Sequence, residues 1–138
     1  MRRAAAAGIL AAVATCGCGG HNRAREGPAR LAAPSACHVD VFFATRMVTG
    51  REATRAEIAA VRRRLALSSR IRTFAFVSKR LALRRMAKLH PAFVHGIPSN
   101  PLPEAYEIVP RSAEDATPLE AGLRRAKGVE HVSSARSC

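Results

Sequence analysis

Phe76-Val77-Ser78-Lys79, followed after a helix by Asn100-Pro101-Leu102-Pro103-Glu104-Ala105-Tyr106, decides how this chain folds. Each proline fixes φ and biases the residue before it away from helix, so Asn100 to Pro103 is an extended turn. It ends a helical stretch and feeds a strand, Tyr106 to Val109. On the other side, Ile71 to Val77 has strand composition, with Phe74 and Phe76 on one face and Ile71, Ala75 and Val77 on the other. Ser78 is placed to cap the helix that follows, Lys79 to about Leu89.

Working outward, Val39 to Thr45 reads as the first strand. Thr54-x-x-Glu57 is a capping box. Behind it Ile58, Val61 and Leu65 recur at helical spacing, with Arg62, Arg63 and Arg64 mostly off that stripe. Ser68-Ser69 ends this helix. Pro91 to His95 forms one short turn closed by Gly96. Thr117-Pro118 is an N-cap followed by proline at the first helical position. Leu119, Gly122, Leu123 and Ala126 supply the buried stripe of the last helix. Lys127-Gly128 stops it, and Val129 to Ala135 is the last strand. The order is β-α-β, a helical insert at about 79–103, then β-α-β. The fold class is α+β, a ferredoxin-like split βαβ sandwich. In that topology the first and last strands are antiparallel neighbours, which brings the beginning of one beside the end of the other.

The Phe-Val-Ser-Lys junction and the Asn-Pro-Leu-Pro turn, with the elements around them, make the stretch Val39 to Ser134 resemble the extracellular domain of the FtsX cell-division permease family. That resemblance implies a domain outside the membrane that engages peptidoglycan hydrolases or their activators through an apolar patch on its lower lobe. Two positions depart from the family pattern. Arg80-Leu81 stands where the family has a glutamate, which removes the reciprocal cap and puts positive charge against the helix dipole, so fraying is expected there. Ala105 stands where serine is common. The family's four transmembrane helices have no counterpart in the sequence, so the chain is expected to be the extracellular module alone.

The first residues read as a leader. Met1-Arg2-Arg3 is basic, and the Ala4 to Thr15 run is apolar but shorter than the roughly 20 residues a spanning helix needs. Val13-Ala14-Thr15-Cys16 resembles a lipobox, with Cys16 as the lipidated residue. Ordinary cleavage near Ala12-Val13-Ala14, which frees a secreted protein, is the alternative, and an uncleaved anchor is a third. Residues 1–16 are thus the signal peptide and lipobox, 17–36 a flexible tether rich in Gly, Ala, Pro and Arg, and 37–138 the domain. The expected location is the outer face of the membrane, held by lipid, or secretion.

The four cysteines are Cys16, Cys18, Cys37 and Cys138. Cys37 precedes the first strand and Cys138 is the last residue, so the two are expected to pair in an oxidising compartment. Cys18 is left either inert or available to another chain. A metal site of Cys16, Cys18 and His21 would offer three ligands in a glycine-rich tether, where structural zinc wants four held by a fold.

No catalytic constellation is visible. The histidines His21, His38, His90, His95 and His131 lack metal-ligand spacing, and there is no nucleophile elbow or phosphate loop. Glu104 and Glu107 are candidate paired carboxylates, but Glu107 sits mid-strand and is expected to face solvent. No cofactor, no metal and no enzyme activity are expected. The sheet lacks the interleaved aromatics that stack bases, and with the leader this argues against nucleic acid.

Binding is better supported. A short insert cannot bury all of Met86, Leu89, Phe93, Val94 and Ile97 against itself. These five are the expected contact residues for a hydrolase or other cell-wall protein, with Phe93 as anchor. The alternative docks Leu83, Met86 and Leu89 on the sheet and exposes only Phe93 and Val94. The protein is expected to be a monomer. Charge gives the rival reading. The formal net charge is +13, and Arg46 to Lys88 carries 13 basic against two acidic residues, whereas Glu104 to Glu130 carries four against six. A basic surface lipoprotein adhering to anionic wall polymer or membrane would account for it, as would a solvated basic face with no partner.

Overall fold

A computed structural model of the protein describes residues 24–28 and 37–134. In chain order these form β1 (Arg25–Glu26), β2 (Val39–Phe43), α1 (Arg46–Thr49), α2 (Arg55–Leu67) and β3 (Ile71–Val77). Then come α3 (Lys79–Leu89), α4 (Pro91–Val94), β4 (Ala105–Pro110), α5 (Ala116–Leu123) and β5 (Val129–Ser134).

The five strands make one mixed sheet in the order β1-β3-β4-β2-β5. β4 is antiparallel to both β2 and β3, and β2 is antiparallel to both β4 and β5. β2 and β3 are therefore parallel with β4 inserted between them, and β4 and β5 are parallel with β2 between them. This is the split βαβ arrangement expected of the sequence. Val39 pairs with Ser134, so the beginning of β2 lies beside the end of β5.

Alternation builds the core. Val39, Val41 and Phe43 of β2 point to the same side as Tyr106 and Ile108 of β4, Phe74 of β3 and Val132 of β5. α2 covers them with Ile58, Val61 and Leu65, and α5 with Ala116, Leu119 and Leu123. Tyr106 sits edge-on to Phe43 and Phe74 at ring separations of 5.7 and 5.8 Å and tilted against Phe76 at 5.3 Å. Such offset aromatic contacts add to what burial alone contributes.

Local signals account for most boundaries. Thr54 accepts from the Glu57 N–H, and the Glu57 carboxylate accepts from the Thr54 N–H at 2.8 Å, so the capping box of α2 is complete. Ser78 caps α3 by accepting from the Leu81 N–H. α3 is continuous over 11 residues; Lys79 in its first turn faces Glu52 at 2.6 Å, which offsets part of the positive charge there. Gly96 and Gly128 both end turns at positive φ.

Five features depart from the sequence expectations. The sequence places residues 24–28 in a tether, yet β1 pairs parallel with β3. Ala24 enters the core, the Gly27 N–H donates to Phe74, and Glu26 bonds Arg62. β2 stops at Phe43 because the ladder shifts after Phe42, and Ala44 instead bonds Gly128 and Ala53. Ile71 joins Phe74 in the core because the register with β4 shifts between Ile71 and Thr73, which moves Ile71 across the sheet. α5 begins at Ala116, with Asp115 rather than Thr117 before it, because residues 112–116 already form tight turns. Pro118 then sits one turn in, where its missing N–H would still have no helical partner. Glu107 was expected to face solvent, but it is half-buried and ion-paired with Arg85. Cys16, Cys18, His21 and Cys138 lie outside the described residues.

Candidate functional site

The insert between β3 and β4 is set on the face of the sheet that α2 and α5 leave uncovered. Sheet residues Asp40, Phe42, Val77, Ala105 and Glu107 face Ala82, Arg85, Met86 and Leu89 of α3 across a cleft of about 350 Å³. The cleft is mostly apolar, and within it Arg85 grips both oxygens of Glu107. Asp40 lies beside it. Burial raises the Asp40 pKa above the usual carboxylate range; His38 and Arg85 pull it back down, while Glu107 pushes it further up. Its Oδ1 is buried and has no hydrogen-bond partner among the described residues, and its Oδ2 is 3.5 Å from His38 Nε2.

The proline turn ties the insert at its root. Of Pro101, Leu102 and Pro103 only Leu102 carries an N–H, and Asn100 Oδ1 accepts it at 3.0 Å. The other side-chain atom, Asn100 Nδ2, donates to the Lys79 carbonyl at 2.6 Å, joining the last part of the insert to its first residue.

Beyond that tie the lobe makes its own small apolar surface. His90 ends α3 at φ −141°, and Pro91 starts α4 at once, so the two helices meet in a bend. Leu83 and Met86 of α3 and His90 at the bend face Phe93 and Val94 of α4, with Ile97, Pro101 and Leu102 closing a second hollow of about 460 Å³. His90 and Phe93 are edge-on at 5.9 Å. None of the residues of α3 or α4 is fully buried. Leu89 is 65 % exposed, Phe93 74 % and Ile97 39 %.

The structure thus places the five residues singled out from the sequence on one lobe. Phe93, Val94, Ile97 and Met86 meet around the second hollow, while Leu89 opens on the first, and Met86 is shared by both. Docking of Met86 and Leu89 onto the sheet is incomplete, since Leu89 stays in solvent. Sequence reasoning missed Asp40, which has the composition of a strand polar residue and nothing to mark it. It also missed Met47 and Val48 of α1, both exposed. Met47 lies near the insert root with Lys79 and Asn100. Gly50 at φ +76° after a four-residue helix is the signal that marks that turn. Among the described residues no group of three or more His, Cys, Asp or Glu could hold a metal ion, and no helix is long and apolar enough to cross a membrane.

No curated protein matches the chain. Solved structures that share the fold include two FtsX domains. One is the crystal structure of extracellular domain 1 of FtsX from Streptococcus pneumoniae in complex with undecyl-maltoside. It has 14 % identity and a TM-score of 0.54, and the match covers 76 % of this chain and 98 % of that one. The other is the solution structure of the large extracellular loop of FtsX from the same organism. It also has 14 % identity, with a TM-score of 0.50, covering 70 % of this chain and 97 % of that one. The family model for the FtsX extracellular domain matches residues 37–138, from the cysteine before β2 to the last residue. The chain therefore belongs to the FtsX extracellular domain family, a family of exported, non-catalytic regulatory domains related to cell division.

Proposed function

We propose that this protein is a lipid-anchored binding module that engages a peptidoglycan hydrolase or another cell-wall protein through Met86, Leu89, Phe93, Val94 and Ile97. One observation carries the reading: the insert leaves its large apolar side chains in solvent around a preformed hollow, while the core of the same domain is closed. Isolated exposed apolar residues are ordinary, but a contiguous patch with a concave centre marks an interaction site. An exposed aromatic beside a pocket is the usual anchor of such a contact.

The anchor at Cys16 and the staple between Cys37 and Cys138 belong to the same reading. The staple is supported by the pairing of Val39 with Ser134, which sets the beginning of β2 beside the end of β5, and by Cys37 not being a free thiol. Closing a loop of roughly 100 residues would contribute about 4–5 kcal/mol in the chain-entropy account. Mass mapping without reductant is expected to yield the Cys37–Cys138 peptide. Cys16→Ser is expected to release the protein from membranes, and unchanged membrane association overturns the lipid anchor.

The decisive experiment is capture from envelope extract with the full chain and with Phe93→Asp, and identification of captured proteins by mass spectrometry. An identified wall hydrolase held by the first, lost with the second and little affected by salt supports the reading. A second reading, adhesion to anionic wall polymer or membrane, is favoured by the basic balance of Arg46 to Lys88. Binding that ignores Phe93→Asp and falls steeply with salt would replace the first reading with this one.

A further inference from the structure

The two ends of the sheet differ in kind. Val77 pairs with Ala105 at one end of β3 and β4, and the lobe leaves the sheet there. Ile71 pairs with Pro110 at the other end, where α2 finishes and the turn into α5 begins. Arginines build this second end. The Arg111 backbone N–H donates to the Arg70 carbonyl at 2.8 Å, its Nε donates to the Ser69 carbonyl at 2.7 Å, and Arg72 donates to the Arg111 carbonyl at 3.4 Å. Arg64, Ser68 and Arg70 line a hollow of about 140 Å³ between α2 and α5.

Leu67 lies among these cations. It closes α2 and is 74 % exposed. Arg63 and Arg64 stand one turn before it on the same face of the helix. Arg63, Arg64, Arg70, Arg72 and Arg111 are all exposed. The acidic residues of the adjoining turn are Glu114 and Asp115, and Asp115 is 3.7 Å from Arg70. Residues 63–72 and 111–115 thus carry five basic and two acidic side chains around one large apolar one.

That mixture separates two kinds of anionic partner. A soluble polyanion meets cations alone. A lipid surface offers phosphates to guanidinium groups, which bind them bidentately, and an apolar layer to a leucine beside them. The chain also enters the domain here. β1 runs parallel to β3 with Arg25 opposite Thr73, so the buried Ala24 before it lies toward the Ile71 end of that strand. A lipid on Cys16, eight positions earlier, would be held within about 30 Å of Ala24 by the length of the chain.

We propose that the end of the domain carrying Arg63, Arg64, Leu67, Arg70, Arg72 and Arg111 rests on an anionic lipid surface, guanidinium groups on headgroup phosphates and Leu67 among them, while the lobe leaves the sheet at the end turned away. This is the adhesive reading given a surface and a partner class, and it needs nothing from the contact at the lobe.

The test uses the full chain carrying Cys16→Ser, so that no lipid is attached, on vesicles of phosphatidylcholine and of mixed phosphatidylcholine and phosphatidylglycerol. The difference between the two removes what the apolar residues 4–15 contribute to both. Arg63→Gln/Arg64→Gln/Arg70→Gln is expected to weaken this charge-dependent binding about a hundredfold, at about fivefold for each cation near an anionic surface. Arg80→Gln/Arg84→Gln/Lys88→Gln removes the same charge from the lobe and should weaken it by less than about tenfold, since charges held away from the surface are screened. Leu67→Ser changes no charge and should weaken it about tenfold. Thermal melts check that the variants remain folded, and amide exchange of the chain without these substitutions is read beside them. On mixed vesicles exchange should slow at residues 68–70 and 111–115 and stay unchanged at 79–97. Equal loss from the two triple substitutions, no effect of Leu67→Ser, or slowing at 79–97 instead overturns the inference. Binding to soluble poly(glycerol phosphate) that needs the arginines, with none to mixed vesicles beyond that to phosphatidylcholine, overturns the lipid surface and leaves adhesion to wall polymer standing. No charge-dependent binding to either overturns both.

Discussion

Asn100 donates its side-chain N–H to the carbonyl of Lys79 across 21 positions of sequence, at 2.6 Å, while its oxygen accepts from Leu102. One amide side chain thus holds both ends of the lobe that carries the apolar surface. The lobe has no fully buried residue of its own in α3 or α4. Its order therefore depends on this tie and on the Arg85–Glu107 bridge rather than on a core. Asn100→Ala removes both hydrogen bonds and leaves two partly buried backbone groups unsatisfied, a cost of about 1–3 kcal/mol. Local opening is expected to absorb most of it. Amide exchange should accelerate about tenfold or more across residues 79–97, since about 1.4 kcal/mol corresponds to a factor of ten. Protection in β2 and β4 should not change. Equal acceleration in both regions would show the lobe to be part of the global folding unit.

Tyr106 is the only tyrosine, and the chain has no tryptophan, so its ionisation can be followed by absorbance without interference. The side chain is 2 % exposed, between Phe43, Phe74 and Phe76. Burial pushes its pKa up to about 12, and the nearby Glu26 adds to this while Arg62 opposes it. The sign follows from linkage. The folded state holds the phenolic proton more tightly than the unfolded chain, whose tyrosine titrates near 10. The stability this contributes is complete below pH 10 and is lost as pH rises toward about 12. Absorbance of the native protein should show no phenolate at pH 10.5, and adding denaturant at that pH should produce it. Tyr106→Phe should flatten the alkaline loss of stability, and an unchanged alkaline limb would mean that other groups drive it.

The sheet could be read from the sequence because its signals are local. Alternation in β2 and β4, the capping box at Thr54 and Glu57, and the turn at Asn100 to Pro103 each follow from a few adjacent residues. What could not be read depends on partners far along the chain. Arg25-Glu26 has no strand composition and becomes β1 only because β3 offers an edge and Arg62 pairs with Glu26. Ile71 sits on the core side because of a register shift that Arg72 does nothing to announce. Phe93 and Ile97 could be expected in solvent because so short an insert has no interior. Asp40 could not be placed, because its position against the insert follows from how α3 lies across the sheet. The split βαβ order also predicts that the beginning of β2 lies beside the end of β5, and Val39 pairs with Ser134 there.

Gly50 and Gly128 differ in what surrounds them, and Glu57 makes the difference. Gly50 and Gly128 both adopt positive φ, at 76° and 83°. A Cβ on Gly50 meets nothing within 4 Å, whereas one on Gly128 would lie 2.8 Å from Glu57 Cβ and 2.9 Å from its Oε2. That carboxylate caps α2 through the Thr54 N–H and receives both guanidinium donors of Arg51. The Arg51 bond first, and the Thr54 N–H second, lower its pKa to about 2. Gly50→Ala should therefore cost only the left-handed backbone penalty, about 1–2 kcal/mol. Gly128→Ala should cost that and also displace the cap, worth about 1 kcal/mol more. For a domain of this size each kcal/mol lowers Tm by about 4–8 °C, so the two variants should separate clearly in a thermal melt. Adding Glu57→Ala to each discriminates the cause. In the Gly50→Ala background it should cost its full amount, but in the Gly128→Ala background it should cost much less, because the cap is already displaced. Equal costs in the two backgrounds would mean that the Gly128 turn can shift without touching Glu57, and the link between the end of α5 and the start of α2 would be broken.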